Sequence, residues 1–174
     1  MVTKFMTLVL WGHEHGCEIE PLQREEGWFF SQPGSSVACS LVEHEAIPKH
    51  VGVLDIRMNE EQIPEYQMRK VPLKTVRPFY MLPDVQLSKH LPPDLPEGEK
   101  QEHVFRFLTE QIAQILADYE SDRAAYKPDV LPLIRLKVEH TDFPAINIER
   151  LGAQFVGKVG SHLGFFCVCL TQFP

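Results

Sequence analysis

Two histidines near the start of the chain, His13 and His15, have the type and spacing that most directly suggest chemistry. They follow an apolar stretch and a glycine, Gly12, in an arrangement that predicts a strand running into the pair. Side chains two positions apart on a strand point to the same side and lie roughly 6 to 7 Å apart, so both imidazoles are expected in one pocket. Histidine nitrogen suits manganese, iron and zinc, and paired metal ions hydrolyse phosphodiesters in many enzymes. The alternative is that both side chains only hydrogen-bond the end of a strand.

The cysteines do not extend this pattern into a zinc site. Cys17 lies on the same alternating face as the histidines, but a structural zinc site needs about four protein ligands. No other cysteine or histidine pair near it has tight ligand spacing, and Cys39 lies far along the chain. We therefore predict that Cys17 and Cys39 are core residues. Together with Cys167 and Cys169 they show no disulfide framework, which favours a reducing compartment.

Length and charge limit the function classes. The 174 residues suffice for one ordinary core, or for part of one domain with a small second one, which we favour. Apolar runs fall short of the roughly 20 residues of a membrane span, and the N-terminus lacks secretory-signal features, so a soluble protein without a membrane partner is expected. The net charge of −7 argues against nucleic-acid binding by the whole surface.

One segment has the opposite charge. Residues 68–81 contain Arg69, Lys70, Lys74 and Arg77 and no acidic residue. A local basic patch on an acidic protein can bind phosphate groups while the rest of the surface faces protein partners. This segment is the best candidate for nucleic-acid contact that charge alone provides.

The first half of the chain reads as short strands. Alternation and turn residues predict one strand up to about Trp11, another from Cys17 and a third over 28–31. Residues 50–56 and 66–71 are predicted to pair as a hairpin across the turn at 59–64, at the edge of a sheet. A further short strand is predicted over 75–82.

The second half combines helix and strand. Residues 82–97 contain Pro83, Pro92, Pro93 and Pro96, a composition typical of a linker. A helix is predicted over 99–125 from apolar residues at three- and four-residue steps, then a strand over 131–140 and a short strand or helix over 147–155. The fold class is α/β of the α+β type, divided into residues 1–82, residues 83–159 and a tail at 160–174.

Four segments, taken in order, resemble one family. They are WGHEH at 11–15, SQPGSSV at 31–37, KHVGVL at 49–54 and PLKTVRPF at 72–79. The apolar strand with its glycine and His-x-His resembles the last metal motif of the calcineurin-like metallophosphoesterases. All four together resemble the double-strand-break repair nucleases of the meiotic-recombination (MRE-eleven) family. The resemblance runs from about residue 6 to residue 159.

The resemblance implies a more specific fold. Residues 1–82 would be the C-terminal part of a metallophosphoesterase β-sandwich, and residues 83–159 a small α/β capping domain that helps to hold DNA. The tail at 160–174 lies outside the resemblance, and a translated intron or a gene-model error is the expected source of its apolar sequence. A real C-terminal strand or partner peptide is the alternative.

The resemblance also implies an activity. The family enzyme is a manganese-dependent DNA nuclease of the endonuclease and 3′–5′ exonuclease type, and His13 and His15 would be ligands of its two manganese ions. Its other motifs, Asp-x-His, Gly-Asp, Gly-Asn-His and a lone histidine, are expected to precede Met1. We therefore expect a fragment that is inactive alone, since divalent metals need four to six donors each. Whether this chain is itself an enzyme stays open.

Partners follow from the same resemblance. It implies DNA, an ATPase of the Rad-fifty type and a nibrin-like subunit, with a homodimer in the intact protein, a nuclear location and a role in meiosis. Candidate DNA contacts, all to phosphate rather than to bases, are Gln32, Ser35, Lys49, Arg69, Lys70, Lys74, Arg77, Arg135 and Lys137.

Each candidate contact has an ordinary alternative. Gln32 and Ser35 could belong to a plain Pro-Gly turn, Lys49 could be a solvated cap, and Arg77 could anchor the second unit. The strand face with Arg135 and Lys137 could simply be exposed. A rival function is a non-catalytic module that binds DNA or a protein partner. A third possibility is a product that does not fold, because a sheet cut open leaves an unpaired edge.

Overall fold

The computed structural model describes residues 6–160 and the backbone of a strand at 167–171. The first sheet contains β1 (Leu8–Leu10), β2 (Glu18–Gln23) and β3 (Phe29–Gln32) in the order β1-β3-β2. β3 pairs parallel with β1 and antiparallel with β2. The turn between β2 and β3 closes through Gly27, whose φ of 89° favours glycine. All three predicted strands are confirmed.

The predicted hairpin is also confirmed. β4 (His50–Met58) and β5 (Pro64–Pro72) pair antiparallel along their whole length. Asn59 stabilises the turn, because its side-chain oxygen accepts the backbone N–H groups of Glu61 at 3.0 Å and Ile63 at 2.9 Å. Both strands are sheet edges, as predicted. The hairpin forms its own two-stranded sheet.

A third sheet organises the second half. β6 (Phe79–Gln86), β7 (Leu133–Glu139) and β8 (Cys167–Thr171) are all parallel, with β7 in the middle. The strand predicted over 75–82 therefore begins later and extends further than expected. The register between β6 and β7 shifts between Leu82 and Val85, and this irregularity on an edge strand accommodates Pro83.

The prediction that residues 82–97 form a linker was wrong for most of the segment, because its first residues pair with β7 as part of β6. Of the residues at 82–97, the first five belong to β6 and the next four form a helical turn, α1 (Leu87–His90). Only 91–96 connect elements without regular structure. Residues 82 and 83 are thus inside one strand, while the division of the chain into two domains stays a prediction.

The long helix supplies most of the core. α2 (Glu97–Ser121) confirms the predicted helix, displaced by two residues at its start and four at its end. Its apolar face packs with the buried side of β7 and with α3 (Ile148–Ala153). The buried residues of α2 are Val104, Phe105, Leu108, Ile112, Ile115 and Tyr119.

Strand β7 alternates as its sequence predicted. Ile134, Leu136 and Val138 are buried, with relative exposures of 3%, 0% and 0%. The opposite face of the strand carries Arg135 and Lys137, the first half-buried and the second exposed. This face therefore lies away from the core that α2 packs against.

The C-terminal tail contains a strand. β8 pairs with β7 from Arg135 to Glu139, so residues 167–171 form a strand, while the origin of the tail stays a prediction. The remaining tail residues, 161–166 and 172–174, lie outside the described part of the chain. Within the described part, none of the helices has the length and apolar character needed to cross a bilayer.

Candidate functional site

The two histidines lie in a loop rather than on a strand. β1 ends at Leu10, and His13 adopts a left-handed backbone conformation with a φ of 77°. The expectation that strand geometry places both imidazoles on one side was therefore wrong. His13 is exposed, whereas His15 is half-buried. We call residues 11–16 the histidine loop.

Three of the predicted DNA contacts converge on the histidine loop instead of facing solvent. Ser35 donates from its backbone N–H to the carbonyl oxygen of His15 at 3.2 Å, and its hydroxyl oxygen lies 3.4 Å from the same carbonyl oxygen. Lys49 donates from Nζ to the same oxygen at 3.3 Å. Gln32 donates from Nε2 to the carbonyl oxygen of Gly16 at 3.1 Å. These side chains hold the loop backbone, and their contact with DNA stays a prediction.

A close backbone contact brings the segment at 31–37 against the loop. Gly34 has a φ of +73°, and a Cβ at this position would lie 2.4 Å from the carbonyl oxygen of Gly16. Only glycine satisfies both conditions without displacement of the backbone. Gly34 therefore sets how closely the two segments approach.

A buried carboxylate, Glu45, completes the arrangement and was not identified from the sequence. Its side chain has 0% exposure and lies in a short 3-10 turn at Glu43–Glu45. Its oxygens accept the hydroxyl of Ser35 at 3.2 Å and the backbone N–H groups of Cys39 at 3.0 Å and Ser40 at 2.7 Å. Nothing in the local pattern distinguishes Glu45 from the neighbouring exposed Glu43.

These contacts keep Glu45 ionised. Burial alone would raise the pKa of its carboxyl group, because desolvation disfavours the charge. The hydrogen bonds from Cys39, Ser40 and Ser35, with the nearby charge of Lys49, outweigh that effect and lower the pKa to about 2. Glu45 is therefore a fixed negative charge beside the histidine loop at neutral pH.

The carboxylate of Glu45 also faces His15. Its Oε1 lies 3.2 Å from Nδ1 of the imidazole, within ion-pair distance but without hydrogen-bond geometry. That nitrogen is buried and has no hydrogen-bond partner among the described residues, although the side chain as a whole is 41% exposed. The geometry leaves one buried nitrogen beside a buried anion.

Cys39 approaches the same point, which corrects the prediction that it is a core residue too far along the chain to contribute. It is exposed, and its sulfur lies within 4.8 Å of both the His15 nitrogen and the Glu45 carboxylate. Cys17 is half-buried and does not belong to this group. The segment after Gly34 folds back on the histidine loop. Because Cys39 and His15 are far apart in sequence, this contact could not be predicted from the sequence.

The described residues do not fit a two-manganese centre. Among them, His13 belongs to no group of three residues that could ligate one ion. The group around His15 offers one imidazole, one thiol and one carboxylate, whereas manganese prefers oxygen donors with imidazole. Two histidines alone cannot complete the four to six donors that each ion needs.

The basic candidates divide into engaged and unengaged side chains. Lys70 pairs with Glu20 at 2.7 Å, and Arg135 donates to the carbonyl oxygen of Leu41 at 2.6 Å. Arg135 thereby ties β7 to the segment that carries Cys39 and Glu45. Among the described contacts, no ion pair or hydrogen bond engages the side chains of the four other candidates, all exposed: Arg69, Lys74, Arg77 and Lys137.

Fold and site together define an α+β protein with a hydrogen-bonded histidine loop and four exposed cations that have no ion pair or hydrogen bond among the described contacts. Residues 66–162 match the family described as the "Mre11 DNA-binding presumed domain". The chain belongs to the Mre11 family. The match begins within β5 and includes the entire α2 and β7 layer of the second half.

Several relatives extend the similarity to the first half. Double-strand break repair protein MRE11 of Oryza sativa subsp. indica is 39% identical over 160 residues, 91% of this chain and 21% of the rice protein. The protein of the same name from Homo sapiens is 38% identical over 164 residues, covering 90% and 22%. Double-strand break repair protein mus-23 of Neurospora crassa is 36% identical over 178 residues, covering 93% and 23%. The chain spans about a fifth of the length of these relatives.

Proposed function

We propose that this chain acts in double-strand break repair by binding DNA through its phosphate backbone. The match of residues 66–162 to a family described as DNA-binding carries the proposal. Four cations support it, because all are exposed, lie within the matched residues and have no ion pair among the described contacts: Arg69, Lys74, Arg77 and Lys137. Cations without internal partners are free to replace the counterions of DNA.

The binding should not depend on base sequence. The unpaired cations Arg69, Lys74 and Arg77 lie on β5 and the segment that leads to β6. The three residues do not share one helix or one two-stranded ribbon, which are the elements that fit into a groove and contact base edges. Contacts of this kind position a protein on DNA and weaken as salt rises.

The whole-protein activity that the resemblance implies remains part of the proposal. Residues 1–82 would belong to a metallophosphoesterase sandwich, and His13 and His15 to the ligands of its manganese ions, with the other donors outside the described residues. The nuclease would have the endonuclease and 3′–5′ exonuclease activities of its class. The location would be the nucleus, where broken chromosomal ends are repaired.

Protein partners are proposed on a separate feature. An ATPase of the Rad-fifty type, a nibrin-like subunit and a second copy of the chain are the partners implied by the family resemblance. The hairpin presents Ile56, Met58 and Ile63 at exposures of 65%, 55% and 51%, which is apolar surface available for such contacts. Co-purification with and without charged substitutions at Ile56 and Met58 would test this role.

DNA binding should depend on unpaired cations and not on cations in general. We expect the double substitution Arg69→Ala and Lys74→Ala to weaken binding to a labelled duplex and to reduce the slope of log affinity against log salt by up to about 2. Each lost phosphate contact accounts for about 0.9 of that slope. Fluorescence anisotropy over a series of salt concentrations measures both effects.

A matched double variant provides the control. Arg57→Ala with Lys70→Ala removes the same charge, but these side chains pair with Glu65 at 3.9 Å and Glu20 at 2.7 Å. This variant should retain most of the salt slope. Equal losses in both doubles would show that only net charge matters, and no binding of the unmodified chain at low salt would refute the proposal.

The isolated chain should not cleave DNA. Because the described residues do not fit a two-manganese centre, we expect no manganese-dependent degradation of labelled duplex or single strands above the background of a mock preparation. A manganese nuclease of known activity in the same buffer serves as the positive control. Cleavage that disappears on His15→Ala would contradict this expectation.

A further inference from the structure

The hairpin of β4 and β5 has an apolar face that is covered at its base and bare at its tip. At the base, a Cβ added to Gly52 would lie 3.3 Å from Cδ1 of Ile19 on β2, so the hairpin packs against the first sheet there. Side chains two positions apart on a strand share a face, so the same face continues to Ile56 and Met58. Both of these side chains are exposed. The described residues therefore leave the outer part of this face uncovered.

A groove adjoins the uncovered part of the face. On β5, Tyr66 is the cross-strand partner of Ile56, and it packs edge-on against Phe29 of β3 with the ring centroids 5.7 Å apart. The groove at this contact has a volume of about 450 Å³. It can accept apolar side chains from a bound segment, and it is lined by Thr7, Phe29, Arg57, Pro64, Glu65 and Tyr66.

The backbone of β4 is also available for pairing. In the described part of the chain the hairpin forms a sheet of two strands, so each strand pairs on one side alone. β5 begins with Pro64 and ends with Pro72, and neither proline has an N–H to donate. β4 contains no proline in its nine residues. Its outer edge is therefore the one suited to accept a further strand.

The charge of the hairpin tip identifies the chemistry of the occupant. Residues 55–65 contain four acidic residues and one basic residue, all exposed. The basic residue, Arg57, lies 3.9 Å from the carboxylate of Glu65. The other three acidic residues have no ion pair among the described contacts, and they are Asp55, Glu60 and Glu61. The tip therefore attracts a cationic segment and repels the phosphates of DNA.

We propose that the outer edge of β4 binds an extended segment of a protein partner whose side chains alternate between apolar and basic. The apolar side chains lie beside Ile56 and Met58, and the basic side chains lie on the opposite face beside Asp55. A second copy of the chain does not fit, because its own β4 tip is acidic as well. The inference rests on the partner role proposed above, and it specifies the chemistry of the partner.

A peptide of nine residues, the length of β4, is the probe. We expect a labelled, acetylated peptide of alternating valine and lysine to bind the full chain with one peptide per chain, as measured by fluorescence anisotropy at low salt. A peptide of the same composition, with its valines and lysines in two blocks, should bind at least about tenfold more weakly. Equal binding of the two peptides would mean that charge alone attracts them, which would overturn the proposal.

Charge reversal at the tip tests the electrostatic part. Glu60→Lys with Glu61→Lys should weaken binding of the alternating peptide about tenfold, because each exposed charge contributes modestly. Glu102→Lys with Glu110→Lys changes the net charge equally at exposed positions of α2, and this control should retain most of the affinity. Equal losses in the two doubles would place the peptide elsewhere on the protein.

Methylation of the peptide backbone tests strand addition without any change to the protein. Alternate N–H groups of a strand bound at an edge point toward β4, and the N–H groups between them point away. N-methylation of one alternate set should abolish binding, whereas methylation of the other set should leave most of it. An equal effect of the two sets would refute pairing with β4.

The outcome can be separated from the other proposals. Ile56→Thr with Met58→Thr keeps a high strand propensity and should weaken peptide binding about tenfold, with no change in the salt slope for duplex DNA. Failure of the peptide to bind the unmodified chain would refute strand addition. Family partners that still co-purify through Ile56 and Met58 would then show that the partner role stands in another form. Concentration-dependent dimers that are lost in Ile56→Thr with Met58→Thr would identify a second copy as the occupant and also refute the proposal.

Discussion

Substitution of Gly34 by alanine should destabilise the protein by about 3 kcal/mol, combining backbone strain with a steric clash. The added Cβ would meet the carbonyl oxygen of Gly16 at 2.4 Å and that of His15 at 2.7 Å. These are backbone atoms, which cannot rotate away as a flexible side chain would. The positive φ of 73° adds strain for any residue with a Cβ. Urea denaturation of the two proteins measures the difference.

Gly27→Ala separates the two contributions to this effect. Gly27 also has a positive φ, 89°, but nothing lies within 4 Å of its added Cβ. Its substitution should therefore cost only the strain of a left-handed residue, about 1 kcal/mol. Equal destabilisation by both substitutions would mean that the segment at 31–37 moves freely away from the histidine loop. In that case the close contact would not fix His15.

The parts of the fold that depend on local pattern could be predicted. The apolar face of α2 recurs at helical spacing over about four turns, from Val104 to Tyr119, and the alternation in β7 separates Leu136 from Arg135. The hairpin β4–β5 is a contact between neighbours in sequence with a polar turn. In each case the residues that determine the element lie within it, so the sequence contains the signal.

The parts that depend on distant contacts could not. β6 starts at Phe79 because it pairs with β7, more than fifty residues later, and its own pattern does not reveal that register. Glu45 resembles a surface acid in sequence, and only the folding of 33–46 onto the histidine loop buries it. Cys39 was misplaced for the same reason.

The motif segments illustrate what a resemblance can provide. Residues 31–37 and 49–54 carry part of the family resemblance, which implies that Gln32, Ser35 and Lys49 contact DNA, and that contact stays a prediction. In the structure the side chains of Gln32 and Lys49 and the backbone N–H of Ser35 donate to backbone carbonyl oxygens of His15 and Gly16. A motif thus marks residues that maintain a site as readily as residues that touch its ligand, and distances are needed to tell them apart.

Glu45 should make the stability of the protein fall in acid. Its pKa is about 2 in the folded state, against an ordinary value of 4.5 for an exposed glutamate, so the unfolded chain binds the proton first as the pH falls. The ionised form therefore stabilises the fold above about pH 4.5 by about 3 kcal/mol, and about 2 kcal/mol of this should be lost by pH 3. Urea unfolding at pH 7, 5, 4 and 3 measures the slope.

Glu45→Gln isolates this contribution from that of other carboxylates. The amide has nearly the same shape but no charge. Its NH2 group cannot accept a hydrogen bond from the backbone N–H groups that donate to the carboxylate. We expect the free energy of unfolding to fall by about 3 kcal/mol at pH 7. At pH 3 the difference from the unmodified protein should be smaller, because the ionised carboxylate of Glu45 stabilises the unmodified protein less at that pH. Glu65→Gln, at an exposed position 3.9 Å from Arg57, should change stability by less than about 1 kcal/mol. A difference between Glu45→Gln and the unmodified protein that stays constant from pH 7 to pH 3 would show that Glu45 is not the ionised anchor of the histidine loop.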